Sequence, residues 1–413
     1  HNLLKTVGQT FKDLIHLSTL TLTSNKISSI EEDVFPNLIH LFRIELDSNP
    51  LDQSFSFTGL IRLNQLFIRY CSIEKLTSQT FFDLSNLKQL NIRQSKIESI
   101  DTRVFILMNN LTDLFLSNNK LTILKNHFFN GLSKLITLDL DYNLISTIEP
   151  FVFEPLEKLE KLYLGNNFIR SINAELFLSL IYLKRLYLDS NQMTSLLTGF
   201  LKNSNMLDLL DLSKNPIVNI AEHAFKNVSR LKTLDLTSNK LKSIKRFYFD
   251  DLTGLKQLKL FGNRINVLEK DSFQYFEKID LIYLRENFLV SMDKAIFRHV
   301  NCSSVDLSKN QLDIMNPNMF LDSNITSLNI RRNLLKSLDA GSLKYLKNTH
   351  TIDLGFNQLK FICNQLFESN STFSLTVLFL NNNLLTDLEF LSQNSLISLS
   401  QLDLSFNLIT NLF

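Results

Sequence analysis

The chain repeats itself about every 24 residues. The strings LTLTSN (20–25), IELDSN (44–49), LFLSNN (114–119), LDLDYN (138–143), LYLGNN (162–167), LYLDSN (186–191), LDLSKN (210–215), LDLTSN (234–239), LKLFGN (258–263) and LDLSFN (402–407) all end in asparagine. With that asparagine as register mark, the marks fall at Asn25, Asn49, Cys71, Ser95, Asn119, Asn143, Asn167, Asn191, Asn215, Asn239, Asn263, Asn287, Asn310, Asn333, Asn357, Asn383 and Asn407. Twelve of the sixteen spacings are 24 residues, and the others are 22, 23, 23 and 26. Units this small cannot bury an apolar face alone, so the chain must stack them into a continuous core. Its 413 residues would otherwise suggest two or three compact domains. The repeat predicts instead one array over residues 1–413, of about 17 units.

Within a unit the pattern is L-x-x-L-x-L-x-x-N-x-L-x-x-I, followed by a phenylalanine near ten residues past the mark. The alternating L-x-L predicts a short strand with one buried face. The phenylalanine recurs as Phe11, Phe35, Phe57, Phe81, Phe105, Phe129, Phe153, Phe177, Phe225, Phe249, Phe273, Phe297, Phe320 and Phe367, with Leu201 and Leu343 standing in twice. Such a residue predicts a stacked aromatic spine. It also accounts for 34 Phe beside no Trp. Only 9 Gly and 6 Pro are present, against average usage of about 7% and 5%, so something else must make the turns. An asparagine amide carries two donors and an acceptor, and can satisfy the backbone groups that a turn leaves facing the core. The marks therefore predict an asparagine ladder, weakened at Cys71 and Ser95, where a thiol and a hydroxyl offer fewer bonds.

Forty-three basic and 41 acidic residues leave a net charge of +2, with no bulk field for nucleic acid or an anionic membrane. No apolar run approaches the roughly 18 residues of a membrane span. Three cysteines cannot make a disulfide framework. Cys302 takes a core leucine position, Cys71 lies in the ladder and Cys363 in a turn, so all three read as free thiols. His16, His40, His127, His223, His299 and His350 fall in different units, with no H-x-x-x-H or C-x-x-C spacing. No phosphate-binding glycine loop or nucleophile elbow occurs either. The expectation is no enzyme, no metal and no cofactor.

These units resemble the leucine-rich repeats of extracellular proteins, in the 24-residue form with a phenylalanine spine, over essentially the whole chain. Similar arrays occur in Toll-like receptor ectodomains, Slit-like guidance proteins, small proteoglycans, insect immune leucine-rich proteins and lamprey variable lymphocyte receptors. The resemblance implies an α/β repeat solenoid: a curved horseshoe with a concave parallel β-sheet and an irregular or 3-10 convex side. It also implies ligand binding rather than catalysis. The cysteine-rich caps of such arrays are not evident, since Asn2–Phe11 reads as the tail of a unit and the chain stops mid-unit at Phe413. A segment of a longer protein is expected, with any signal or membrane anchor outside it.

Exposed strand-face positions should lie four, two and one residues before each mark, and three clusters form there. The first is Phe67, Arg69, Tyr70 and Arg93. The second is Asp139, Asp141, Tyr142, Tyr163, Tyr187 and Asp189, flanked by Lys161 and Arg185. The third is Phe261, Tyr283, Arg285, Lys309, Arg331 and Arg332, whose cations could meet an anionic ligand. Tyr, Phe and Arg are the types enriched at interface hot spots. Five sequons, at Asn110, Asn227, Asn301, Asn324 and Asn370, should carry any glycan on the convex side or rim and none on a strand. The expected function is a non-catalytic binding module, the ectodomain of an innate-immune or adhesion receptor or a secreted relative. Its partner would be a protein ligand or co-receptor, and homo- or heterodimers are compatible with it. The near-neutral chain argues against nucleic acid or sulfated glycan. The alternatives are a matrix scaffold and an intracellular adaptor.

Overall fold

The computed structural model describes residues 2–31, 34–52, 55–276, 278–292, 295–316, 318–366, 373–392 and 396–410. Phe367 of the expected spine, the Asn370 sequon and the terminal Phe413 lie outside them. The chain divides into two compact units: His1–Met193 with Gly199–Leu207, and Thr194–Thr198 with Asp208–Phe413. Each is a parallel β-solenoid built from the same repeat.

The L-x-L segments form three-residue strands such as Asp113–Phe115, Thr137–Asp139, Lys161–Tyr163 and Arg185–Tyr187 in the first unit, and Thr233–Asp235 and Gln257–Lys259 in the second. Each pairs in parallel and in register with the next, so Leu138 sits between Leu114 and Leu162. A second strand of two residues follows many marks, as where Ile123–Leu124 pairs with Thr147–Ile148. The back of each unit is irregular. Among the described residues the only helices are 3-10 turns at Gln9–Phe11 and Glu389–Ser392, and none is long and apolar enough to cross a membrane.

The spine forms as the spacing predicts. In the first unit Phe35, Phe57 and Phe81 stack at 6.2 and 6.4 Å, and Phe129, Phe153 and Phe177 at 6.0 and 6.3 Å. In the second, Phe273, Phe297 and Phe320 stack at 5.5 and 5.6 Å. Phe276, outside the expected series, lies 6.0 Å from Phe249 and 6.2 Å from Phe273. Where Leu201 replaces a ring, Phe200 is buried beside it in sequence.

The asparagine ladder is equally regular. Asn143 Nδ2 donates to Leu116 O, Leu140 O and Asp141 O at 3.1, 3.0 and 3.3 Å, while its Oδ1 accepts the Leu121 N–H. One amide thus ties its own turn to the preceding repeat. The residue before each mark is left-handed, with φ of +59° at Tyr70, +54° at Tyr142, +53° at Lys214 and +55° at Phe356. Glycine is the residue that tolerates this best, yet only Gly262 occupies the position. The other turns are pinned by main-chain bonds, as from Tyr142 N–H to Gly165 O at 3.0 Å. That is how the chain turns with so little glycine.

Cys71 and Ser95 are the predicted defects. Cys71 Sγ reaches only carbonyls 3.5 and 3.8 Å away, and burial pushes its thiol up to about 11. Ser95 Oγ makes one contact, 3.4 Å from Ile68 O. Ser95 has normal 24-residue spacing on both sides. Ser95→Asn is therefore expected to stabilise by about 1–2 kcal/mol, the worth of one or two added buried hydrogen bonds. Urea unfolding checks this, and an unchanged or lower midpoint would show that the site has no room for the amide. Cys302, buried in register with Ile279, is likewise an inert thiol pushed up to about 11 by burial.

Candidate functional site

The first predicted cluster does not survive as an exposed patch. Phe67 is buried, at 8% exposure, with the Arg43 guanidinium 4.4 Å above its ring and that of Arg69 at 5.7 Å. Arg69 is tied by Nε and Nη2 to Asp47 at 2.9 and 2.6 Å, and this hydrogen bond raises its pKa. Arg93 leaves the cluster altogether. It lies 4.4 Å over the Phe115 ring and ion-pairs with Asp139, two repeats further on. Only Tyr70, held outward by its left-handed backbone, is exposed, at 56%.

The third cluster is assembled and partly neutralised. Lys309 pairs with Glu286 at 2.5 Å, Arg285 with Glu286 at 3.4 Å and Arg331 with Asp353 at 3.6 Å. Lys309 holds the Glu286 carboxyl below the usual range. Arg331 and Arg332 lie 4.3 and 5.0 Å over the ring of Phe356, which stands one residue before its mark. Phe261, Tyr283 and Arg285 line a cleft of about 250 Å³ with Thr237, Lys259 and Asp306. Glu286 and Asp353 thus pair three of the four cations, and Arg332 lies over the Phe356 ring.

The second cluster comes together as expected. Tyr163 and Tyr187 pair in register and stack with ring centroids 4.7 Å apart and planes at 3°. Tyr142 is exposed beside the turn at 55%. Asp139 is buried, at 5%, by its bonds to Arg93 and the Asp141 N–H, and is therefore not a free contact residue. Asp141 and Asp189 are half-buried. Between them the turn carries Gly165, and the Asp189 and Asp141 carboxylates close over the space a side chain would take there. The space over Gly355 is likewise closed, by Arg331, Asn381 and Asp353, and there a cation stands beside the carboxylate.

Two expectations fall outside these clusters. Asn301 and Asn324 open the six-residue strands Asn301–Asp306 and Asn324–Asn329 and pair with each other. Two sequons therefore do lie on strands, because pairing extends further back in these 23-residue repeats. Asn110 and Asn227 lie off the strands, half-buried and exposed respectively. His223, Asp250 and Asp251 bring ligand-type atoms within 4.8 Å of one another, from adjacent repeats that no contiguous motif could join. His223 there is 3.4 Å from Asp250 and 3.7 Å from Asp251.

A stacked repeat whose strand face carries the variable aromatic and charged residues defines a leucine-rich repeat protein. The leucine rich repeat family matches residues 1–51, 61–121, 109–167, 157–217, 206–265 and 229–289, and the BspA type leucine rich repeat region matches 279–394. The chain belongs to the leucine-rich repeat family. No curated protein matches it in sequence. Among solved structures it is similar to Toll in the glycosylated Toll–Spatzle complex from Drosophila, at 22% identity and a TM-score of 0.79, over 92% of this chain and 52% of that one. A second structure of that complex gives 20% identity and 0.71, over 91% and 48%. The chain thus spans about half the length of Toll. It is also similar to TLR13 in a complex with single-stranded RNA, at 18% identity and 0.68, over 99% and 80%. The Leptospira interrogans leucine-rich repeat protein LIC12759 gives 22% and 0.64, over 96% and 93%. These likenesses are in fold.

Proposed function

We propose that this chain is a non-catalytic, receptor-like ectodomain or secreted relative, one array that recognises a protein partner on the sheet face around Tyr163 and Tyr187. The observation that carries the reading is the parallel tyrosine stack, half-buried yet presented on the face opposite the core. Large rings fixed at one another's surface lose little side-chain entropy on contact, which is why tyrosine recurs at hot spots. Complexes of similar folds, Toll with Spatzle and FLRT2 with latrophilin 3 and Unc5D, support a protein ligand and an extracellular place.

The test presents the full chain, as a soluble multimer, to an array of purified secreted and cell-surface proteins. Partners are then re-measured with Tyr163→Ala/Tyr187→Ala. Binding is expected to weaken at least about tenfold, the effect of a hot spot of about 2 kcal/mol, with little change in thermal midpoint. Partners indifferent to the double substitution would move recognition to another surface.

A further inference from the structure

Gly165 sits two residues before its mark, and the residues at the same position in the flanking repeats are Asp141 and Asp189. Asp141 Oδ1 accepts the Gly165 N–H at 2.6 Å. A β-carbon added to Gly165 would lie 2.3 Å from Asp189 Oδ1 and 3.3 Å from Asp141 Oδ1. Glycine is needed here because two carboxylates converge over it, not for its own dihedral angles. Asp189 Oδ2 is held by neutral donors, Ser190 Oγ at 3.1 Å and Asn166 Nδ2 at 3.3 Å. Arg93 is spent on Asp139. Among the described residues no lysine or arginine lies within ion-pair distance of Asp141 or Asp189. Lys161 and Arg185 flank the tyrosines at the start of their strands instead.

The charge is thus uncompensated, unlike that over Gly355, where Arg331 stands beside Asp353. Burial, then Asp139 and Asp189, push the Asp141 carboxyl up to about 7 against the opposing pull of the Gly165 N–H and Arg93. Tyr163, two residues before Gly165, and Tyr187, two before Asp189, add an aromatic wall. Tyr163 is itself raised, first by burial and then by Tyr187.

We propose that the Asp141 and Asp189 carboxylates converging over Gly165 together hold a basic side chain of the protein partner, an arginine guanidinium, beside the Tyr163–Tyr187 stack. This rests on the reading of that face as the binding surface. A planar guanidinium can meet two carboxylates through paired N–H donors and lie against aromatic rings, which an ammonium or a metal ion does less well. Seating the cation requires ionised Asp141, which releases its proton to solvent. Affinity should therefore fall as pH drops below about 7, by up to about tenfold per unit.

The experiment titrates an acetylated, amidated hexa-arginine peptide into the full chain by calorimetry, with hexa-citrulline as its neutral counterpart. At pH 8 hexa-arginine should bind and hexa-citrulline should not. Asp141→Asn and Asp189→Asn should each weaken binding at least about tenfold, and Asp306→Asn, elsewhere on the sheet, should not. Lowering the pH to 5.5 should weaken the wild type but leave the remaining affinity of Asp141→Asn unchanged. Asp141→Asn should also melt higher than wild type at pH 8, since it removes a buried like charge, and this shows that lost binding is not lost folding. Equal affinity of both variants and wild type overturns the proposal. So does calcium chloride alone titrating the site with loss in Asp141→Asn, which would make it a metal site. If these charge variants have no effect while Tyr163→Ala/Tyr187→Ala still weakens a protein partner, the binding face stands and the arginine seat falls.

Discussion

Asn119→Ala is expected to lower the unfolding free energy by about 3–4 kcal/mol, far more than the loss of one ordinary polar contact. Its Nδ2 donates to Ile92 O, Leu116 O and Ser117 O at 2.8, 2.9 and 3.4 Å, and its Oδ1 accepts the Ile97 N–H at 3.1 Å. At 6% exposure, water cannot take its place. Truncation strands the Ile97 donor and at least one carbonyl, each costing about 1–3 kcal/mol when buried unpaired. It also frees the turn at Asn118, whose φ is +58°. Ser95→Ala, one repeat earlier, removes a single 3.4 Å contact and should cost about 1 kcal/mol or less. Asn119→Asp keeps the acceptor but loses the donors and buries a charge, so it should be no better than alanine. Urea unfolding of the three variants is decisive: an Asn119→Ala cost no larger than that of Ser95→Ala would remove the ladder as the device that makes the turns.

The ladder, the spine and the strands were legible in the sequence because each depends on a residue's place within its own 24-residue unit. The free surface was not, because exposure there depends on side chains one or two units away. Phe67 occupies the same strand-face position as Tyr163, yet Arg43 from the preceding repeat covers it. Arg69 and Arg93 look available in sequence, but Asp47 lies 22 residues before the first and Asp139 lies 46 after the second. The carboxylate pair over Gly165 is legible only once the residues on both sides at the same position are read together: aspartates there converge as like charges, whereas Arg331 and Asn381 close over Gly355. The His223 group escaped for the same reason. The left-handed turn residues also escaped, since serine, tyrosine, lysine and phenylalanine at that position give no local sign of positive φ.

Phe153→Ala should be the most damaging single change on this face of the core, at about 4–5 kcal/mol. Deleting a buried phenylalanine costs about 3–5 kcal/mol through lost transfer energy and the cavity left behind. Phe153 is wholly buried and stacks on both neighbours, at 13° to Phe129 and 11° to Phe177. Each aromatic pair adds about 0.5–1.5 kcal/mol beyond area, which places the loss toward the upper end. Phe153→Leu should cost only about 1–1.5 kcal/mol, because it conserves most of the volume and Leu201 and Leu343 already occupy this position in other repeats. Tyr163, ten residues further on, provides the internal comparison. Its ring stacks on Tyr187 outside the core, so Tyr163→Ala should cost about 1 kcal/mol. Urea unfolding of the three variants separates packing from presentation. If Tyr163→Ala destabilised as much as Phe153→Ala, the tyrosine pair would be holding the repeats together rather than offering a surface to a partner.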